Sequence, residues 1–119
     1  MANHNDLGKL GEEIALKFFE KKGYTILSIN WTWEKIELDI IAKENGVIIF
    51  IEVKTRQNKN FGYPEESVGH NKEKRIYAAA AEYLYQLEHE EEYRFDILSI
   101  TMEPKIQIRH YPDAFFPIW

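Results

Sequence analysis

The chain has 119 residues, 45% of them hydrophobic and 29% charged, a balance that fits one soluble globular domain and excludes a disordered chain. There is no cysteine, which rules out disulfides, thiol nucleophiles and thiolate metal sites, and the net charge of −5 argues against a uniformly basic nucleic-acid binder. The longest apolar run, Val47 to Ile51, is too short to cross a bilayer, and the polar start Met1 to Asp6 lacks the basic n-region of a secretory signal, so a cytoplasmic single domain over 1–119 is expected.

In chain order, Asn5 or Asp6 can cap a first helix whose apolar residues Leu7, Leu10, Ile14 and Phe18 recur at helical spacing. Gly23 stands where that helix should end. Strands are predicted over Tyr24 to Ile29, Ile36 to Ala42 and Val47 to Thr55, the last two joined through Glu44-Asn45-Gly46. Asn-Gly between alternating strands is a strong hairpin signal. Gln57 to Gly69 reads as a long loop. Asn71 can cap a second helix running to about Glu88, whose acidic run to Glu92 reads as a solvated helix end. Tyr93 to Met102 and Lys105 to Tyr111 are the last strands, divided at Pro104. The order α-β-β-β-α-β-β predicts an α/β or α+β domain with a mixed sheet.

A two-residue Asn45-Gly46 turn would set Asp39 opposite Glu52 and Glu37 opposite Lys54. Alternation then projects all four from one face, leaving Ile36, Leu38, Ile40 and Ala42 against Val47, Ile49, Ile51 and Val53 as an apolar face. Opposed carboxylates destabilise a sheet, and a hard divalent cation such as Mg²⁺ would offset that cost. Lys54 would then meet a water or phosphate beside the metal. A salt-bridge cluster in which Lys54 neutralises Glu37 and Asp39 accounts for the same pattern.

Charge is unevenly placed. From Lys54 to Arg75 six basic residues (Lys54, Arg56, Lys59, Lys72, Lys74, Arg75) face three acidic ones, so this segment could meet a polyanion that the rest repels. Lys72, Lys74 and Arg75 fall in the first turns of the second helix, where they oppose the macrodipole unless an anion binds or water solvates them. Trp31 and Trp33 suit either base stacking or packing. The histidines His4, His70, His89 and His110 show no paired spacing, and His70, near the loop end, is the one to test.

Asp39 followed by Glu52-Val53-Lys54 resembles the core motif of the PD-(D/E)XK nuclease superfamily. Gly11-Glu12, Gly23-Tyr24 through Asn30, Glu37 to Ala42, Phe50 to Arg56, Phe61 to Val68, Lys72 to Arg75 and Arg94-Phe95-Asp96 each resemble the YraN-like family. That resemblance covers nearly the whole chain and implies a restriction-endonuclease-like fold related to Holliday-junction resolvases. It implies Asp39 and Glu52 as metal ligands with the Val53 carbonyl as a third, Glu12 assisting, and Lys54 orienting or deprotonating the attacking water. Mg²⁺ or Mn²⁺ would be the cofactor, DNA the partner, and a homodimer the assembly. Where the family usually has glycine before the Glu-x-Asp, this chain has Ile36.

The leading functional expectation is therefore a metal-dependent endonuclease acting on branched or damaged DNA, with Arg56, Lys72, Lys74 and Arg75 on the phosphates and Glu37 as an accessory. The alternatives are a non-catalytic nucleic-acid-binding module and a protein-interaction scaffold using the apolar tail Phe115 to Trp119.

Overall fold

The structure, a computed structural model, describes residues 4–58, 69–88 and 92–115, with the backbone alone for His4, Asn5 and His70. Residues 59–68 of the long loop with Lys59, then His89 and its neighbours in the acidic run, and the tail from Phe116 to Trp119 lie outside the described residues. The elements are α1 (His4–Lys21), β1 (Thr25–Trp33), β2 (Ile36–Glu44), β3 (Val47–Arg56), α2 (His70–Leu87), β4 (Tyr93–Thr101) and β5 (Gln107–Phe115). The strands lie in the order β1-β2-β3-β4-β5. All neighbours are antiparallel except β3 and β4, which run parallel because α2 supplies the crossover between them. This is the α+β order read from the sequence. No described helix is long and apolar enough to cross a membrane.

Each helix covers one face of the sheet. Ala15 and Phe19 of α1 pack with Ile40, Ala42, Ile49, Ile51, Leu98 and Ile100. Ile76, Tyr77, Ala79 and Ala80 of α2 pack with Leu38, Ile41, Ile48, Phe50, Phe95 and Ile97. Strands β3 and β4 are thus buried on both faces, which is why they read as continuous apolar runs.

The helix starts differ from expectation. Helix α1 already includes His4, so Asn5 and Asp6 lie in its first turn, where the Asp6 charge suits the dipole. Helix α2 takes Gly69 as its N-cap without a side-chain cap bond. The Glu73 N–H closes on the Gly69 carbonyl at 2.9 Å, which leaves Asn71 inside the helix. At the other end of α1, Gly23 N–H donates to Glu20 and Tyr24 N–H to Phe19, both at 3.0 Å. That is a Schellman ending.

Strands β1 and β5 are longer than predicted. Strand β1 runs on to Trp33 and turns into β2 through Glu34 and Lys35, both at positive φ, as the mirror-image hairpin turn requires. Trp31 meets the Tyr83 ring edge-on at 5.2 Å, and both Trp31 and Trp33 pack on the α2 cluster. Strand β5 continues past Pro112, a residue tolerated on an edge strand, because a register shift absorbs it. The shift is pinned by Asp96, whose Oδ1 accepts the Asp113 N–H at 2.8 Å.

Asp96 is fully buried and ties the far end of α1 to the sheet. Its carboxylate accepts from Arg94 at 2.9 and 3.1 Å and from His110 Nε2 at 2.7 Å. Burial by itself would raise this carboxyl. The bonds from His110, Arg94 and the Asp113 N–H outweigh it and hold the group below its ordinary value. Lys22, which can only donate, reaches His110 Nδ1 at 3.1 Å, so the imidazole proton sits on Nε2. Among the described side chains, His110 is the histidine with a structural role. Its spacing along the chain concealed this, because its partner stands on the neighbouring strand.

The near half of α1 is placed by a glycine. A Cβ on Gly11 would lie 1.9 Å from Thr55 Oγ1 and 2.8 Å from its Cβ, so only glycine lets α1 descend onto β3 here. Gly11→Ala should lower the unfolding free energy by about 1–3 kcal/mol in urea titration, and adding Thr55→Gly should recover part of it. Equal losses in the single and double variants would show that the contact does not position the helix.

Candidate functional site

The site starts from an irregularity in the sheet. Leu38 and Ile40 lie two residues apart yet belong to opposite faces, whereas Leu38 and Ile41 share the α2 face. The alternation of β2 therefore changes phase at Asp39. Strand β1 changes phase alongside it at Asn30, which has φ of 51°. Pairing in constant register resumes on both sides, Ile29 with Ile40 and Trp31 with Leu38. The expected apolar face is corrected accordingly: Ile36 and Leu38 point toward α2, away from Ile40 and Ala42.

The expected turn register holds from Glu44–Val47 to Ile40–Ile51 and stops there. Beyond it β2 parts from β3, so Asp39 does not pair with Glu52, nor Glu37 with Lys54. The Val53 N–H loses its strand partner and donates to Asp39 Oδ2 at 2.8 Å. The N–H and C=O of one strand residue leave on the same edge, so the Val53 carbonyl also faces the opening.

Into this opening come residues from three elements. A cavity of about 250 Å³ is lined by Leu7, Gly8, Glu12, Asp39, Val53, Lys54 and Thr55. Carboxylate oxygens of Glu12, Glu37 and Asp39 lie within 4.8 Å of one another. With its amide oriented to donate to both, Asn30 reaches Glu12 at 2.9 Å and Glu37 at 3.1 Å. Asn30 is a site residue that the sequence reading missed. The one signal was the residue type just past the predicted strand end at Ile29, since asparagine tolerates the left-handed conformation that re-aims the chain here.

Glu52 stands on the other side of the opening. Its carboxylate is buried and meets Lys72 Nζ of α2 at 2.5 Å. With Asp39 it lines a narrow gap under α2, beside Leu38, Phe50, Ile76 and Phe115. The expectation of four charges on one face is thus corrected: Glu37 joins Glu12 beneath α1, Glu52 turns to α2, and Asp39 lies between them.

Electrostatics follow from that placement. Burial, then the Glu52 charge, push the Asp39 carboxyl up to about 7, against the Val53 N–H, which lowers it. Glu12 adds to the rise. For Lys72, burial disfavours the ammonium, but the Glu52 hydrogen bond outweighs it and raises the group above its ordinary value.

The remaining basic residues are spread along two elements. Arg56 ends β3 and donates from Nε to Thr101 Oγ1 at 3.0 Å. Lys74 and Arg75 are exposed on the first turns of α2. Lys72, expected on phosphate, is drawn in to Glu52 instead.

A model for a family described as "Uncharacterised protein family UPF0102" matches residues 11–100, a span that runs from Gly11 past Asp96. The chain belongs to this family. The UPF0102 protein of Flavobacterium psychrophilum is 44% identical over 117 residues, covering 98% of each chain. That of Phocaeicola vulgatus is 44% identical over 121 residues, covering both chains fully, and that of Dictyoglomus turgidum is 39% identical over 117 residues. Every cavity-lining residue from Glu12 to Thr55 lies inside the span that defines a UPF0102 domain.

For this UPF0102 chain the raised Asp39 carboxyl has a consequence for stability. Between its ordinary value of 3.8 and about 7, the folded state binds a proton that the unfolded state has lost, so stability falls as pH rises through that window. Asp39→Asn removes the penalty. Its melting temperature should exceed the wild type's at pH 8, by about 2–6 °C, and the difference should close toward pH 4. A variant less stable than wild type at pH 8 would mean that the Val53 bond outweighs the repulsion.

Proposed function

We propose that the protein is a divalent-metal-dependent nuclease that hydrolyses phosphodiester bonds in DNA. The observation that carries this reading is the opening at Asp39, where carboxylates from α1 and β2 gather at a cavity that Val53 and Lys54 of β3 also line, with the Glu52 carboxylate of β3 in the adjoining gap beside Asp39. The donor chemistry fits Mg²⁺ or Mn²⁺, which prefer carboxylate and carbonyl oxygens. Asp39, Glu52 and the Val53 carbonyl would hold the ion, with Glu12 assisting from α1. Such an ion lowers the pKa of a bound water and stabilises charge on the phosphate.

The chain's own groups account for the rest. Val53 N–H fixes the Asp39 carboxylate through Oδ2, which restricts its rotation before any ligand arrives. Asn30 holds Glu12 and Glu37 against each other. Lys54 lines the same cavity and its side chain lies beside that of Lys72; from there its ammonium would donate to the attacking water or to a non-bridging phosphate oxygen. Water oxygen joins phosphorus and gives up a proton, the ester P–O bond breaks, and the leaving oxygen takes up a proton in its place. Arg56, Lys74 and Arg75 supply positive charge for the flanking backbone, while the acidic remainder of the surface disfavours other approaches.

The test is cleavage of branched, single-stranded and duplex DNA with Mg²⁺ or Mn²⁺. Wild type should cut at least one of these, and Asp39→Asn and Lys54→Ala should each lose about 100-fold or more. Replacing Arg56, Lys74 and Arg75 by Ala should weaken binding to duplex. The slope of log affinity against log salt should flatten by about 0.9 for each phosphate that is no longer neutralised. Salt-dependent binding without cleavage under any metal would assign the chain as a non-catalytic nucleic-acid-binding module.

A further inference from the structure

The ion pair between Lys72 and Glu52 is unequal. The Glu52 side chain is 9% exposed and that of Lys72 is 49% exposed. Glu52 is therefore held within the fold, whereas the exposed stem of Lys72 lets its ammonium rotate out to water. A buried carboxylate needs a cation close by, and in this structure the Lys72 ammonium is that cation.

The position of Lys72 makes it a poor permanent partner. It lies in the first turn of α2, whose N-cap Gly69 gives no side-chain cap bond. An ammonium there faces the positive end of the helix dipole. Glu52 compensates for that. If Glu52 were drawn to another cation, Lys72 and the start of α2 would together favour an anion.

Among the described residues, the carboxyl groups of Glu12, Glu37, Asp39 and Glu52 outnumber the ammonium groups of Lys54 and Lys72 around the opening. A divalent cation would offset that excess. A divalent ion and an ammonium sharing one buried carboxylate would repel strongly, because the low local dielectric screens them little. The half-exposed lysine is the one able to leave.

We propose that Lys72 and the divalent cation are alternative partners of Glu52, so that metal entry releases Lys72 from the carboxylate to the phosphate backbone of the nucleic acid. This inference rests on the metal site proposed above. It gives Lys72 two states: a stand-in cation that stabilises the metal-free protein, and a phosphate contact once the metal is bound. Metal and polyanion would then each favour the binding of the other.

Mn²⁺ titration calorimetry tests this on wild type, Lys72→Met, Lys72→Arg and Asp39→Asn. Lys72→Met should bind Mn²⁺ about tenfold or more tightly than wild type, because the competing charge is gone. Lys72→Arg, which keeps the charge, should stay within about threefold of wild type. Asp39→Asn should lose the binding. A second measurement needs no folded Lys72→Met protein: acylation of lysines in wild type, read by mass spectrometry with Lys74 as internal reference. Mg²⁺ should speed modification of Lys72 several-fold relative to Lys74, and should fail to do so in Asp39→Asn. Mn²⁺ binding that depends on Asp39 but is unchanged or weaker in Lys72→Met, or Lys72 labelling indifferent to Mg²⁺, would overturn the exchange and leave the metal site standing. Wild type with no Asp39-dependent Mn²⁺ binding would overturn both.

Discussion

The parting of β2 from β3 at Asp39 is the constraint on which the rest of the site depends. While the two strands are paired, their backbone groups satisfy one another and no carboxylate is needed between them. Once β2 departs after Ile40, a strand edge is left open in the middle of the sheet, and its Val53 N–H must find another acceptor. Asp39 provides it. The same bond that repairs the sheet holds a carboxylate at the bottom of a cavity, close to Glu52, at a cost in repulsion. The site is therefore part of the solution to a backbone problem, and its charge is fixed in place by the fold.

Two anchors hold α1 above that opening, and they differ in kind. At the near end the missing side chain of Gly11 allows contact with Thr55. At the far end Phe18, Phe19 and Tyr24 gather around His110, which is itself fastened to Asp96. Breaking a buried ionic cluster of this sort by removing one partner typically costs about 3–5 kcal/mol. Glu12 lies between the anchors, so its place over Asp39 follows from the whole helix.

Much of the fold was legible because local and long-range signals agreed. Asn45-Gly46 set the β2–β3 register, Gly23 ended α1, and the doubly buried strands announced themselves as apolar runs. The phase change at Asp39 was not legible. Alternation is a rule for regular strands, and Ile36, Leu38, Ile40 and Ala42 keep its pattern in sequence while breaking it in space. Leucine and isoleucine suit either face when both are covered by helices, so composition gave no warning. Asp39, Glu52, Glu37 and Lys54 were singled out by the turn register and by resemblance to a known motif, but their partners were not. Lys72 on Glu52, Asn30 on Glu12 and Glu37, and His110 on Asp96 all join residues distant in the chain, and only the folded sheet and its helices bring them together.

The Gly11–Thr55 contact also decides what can and cannot vary at this site. It limits the approach of α1 by repulsion between touching atoms, a force that acts over less than an ångström and is indifferent to dissolved ions or protons. The interaction among the charged groups around the cavity, by contrast, changes with both. The width of the gap between helix and strand is therefore set mechanically, while the forces between the charged groups that line it are set by the solution. A change of ionic strength or acidity would alter those forces without altering the spacing between α1 and β3.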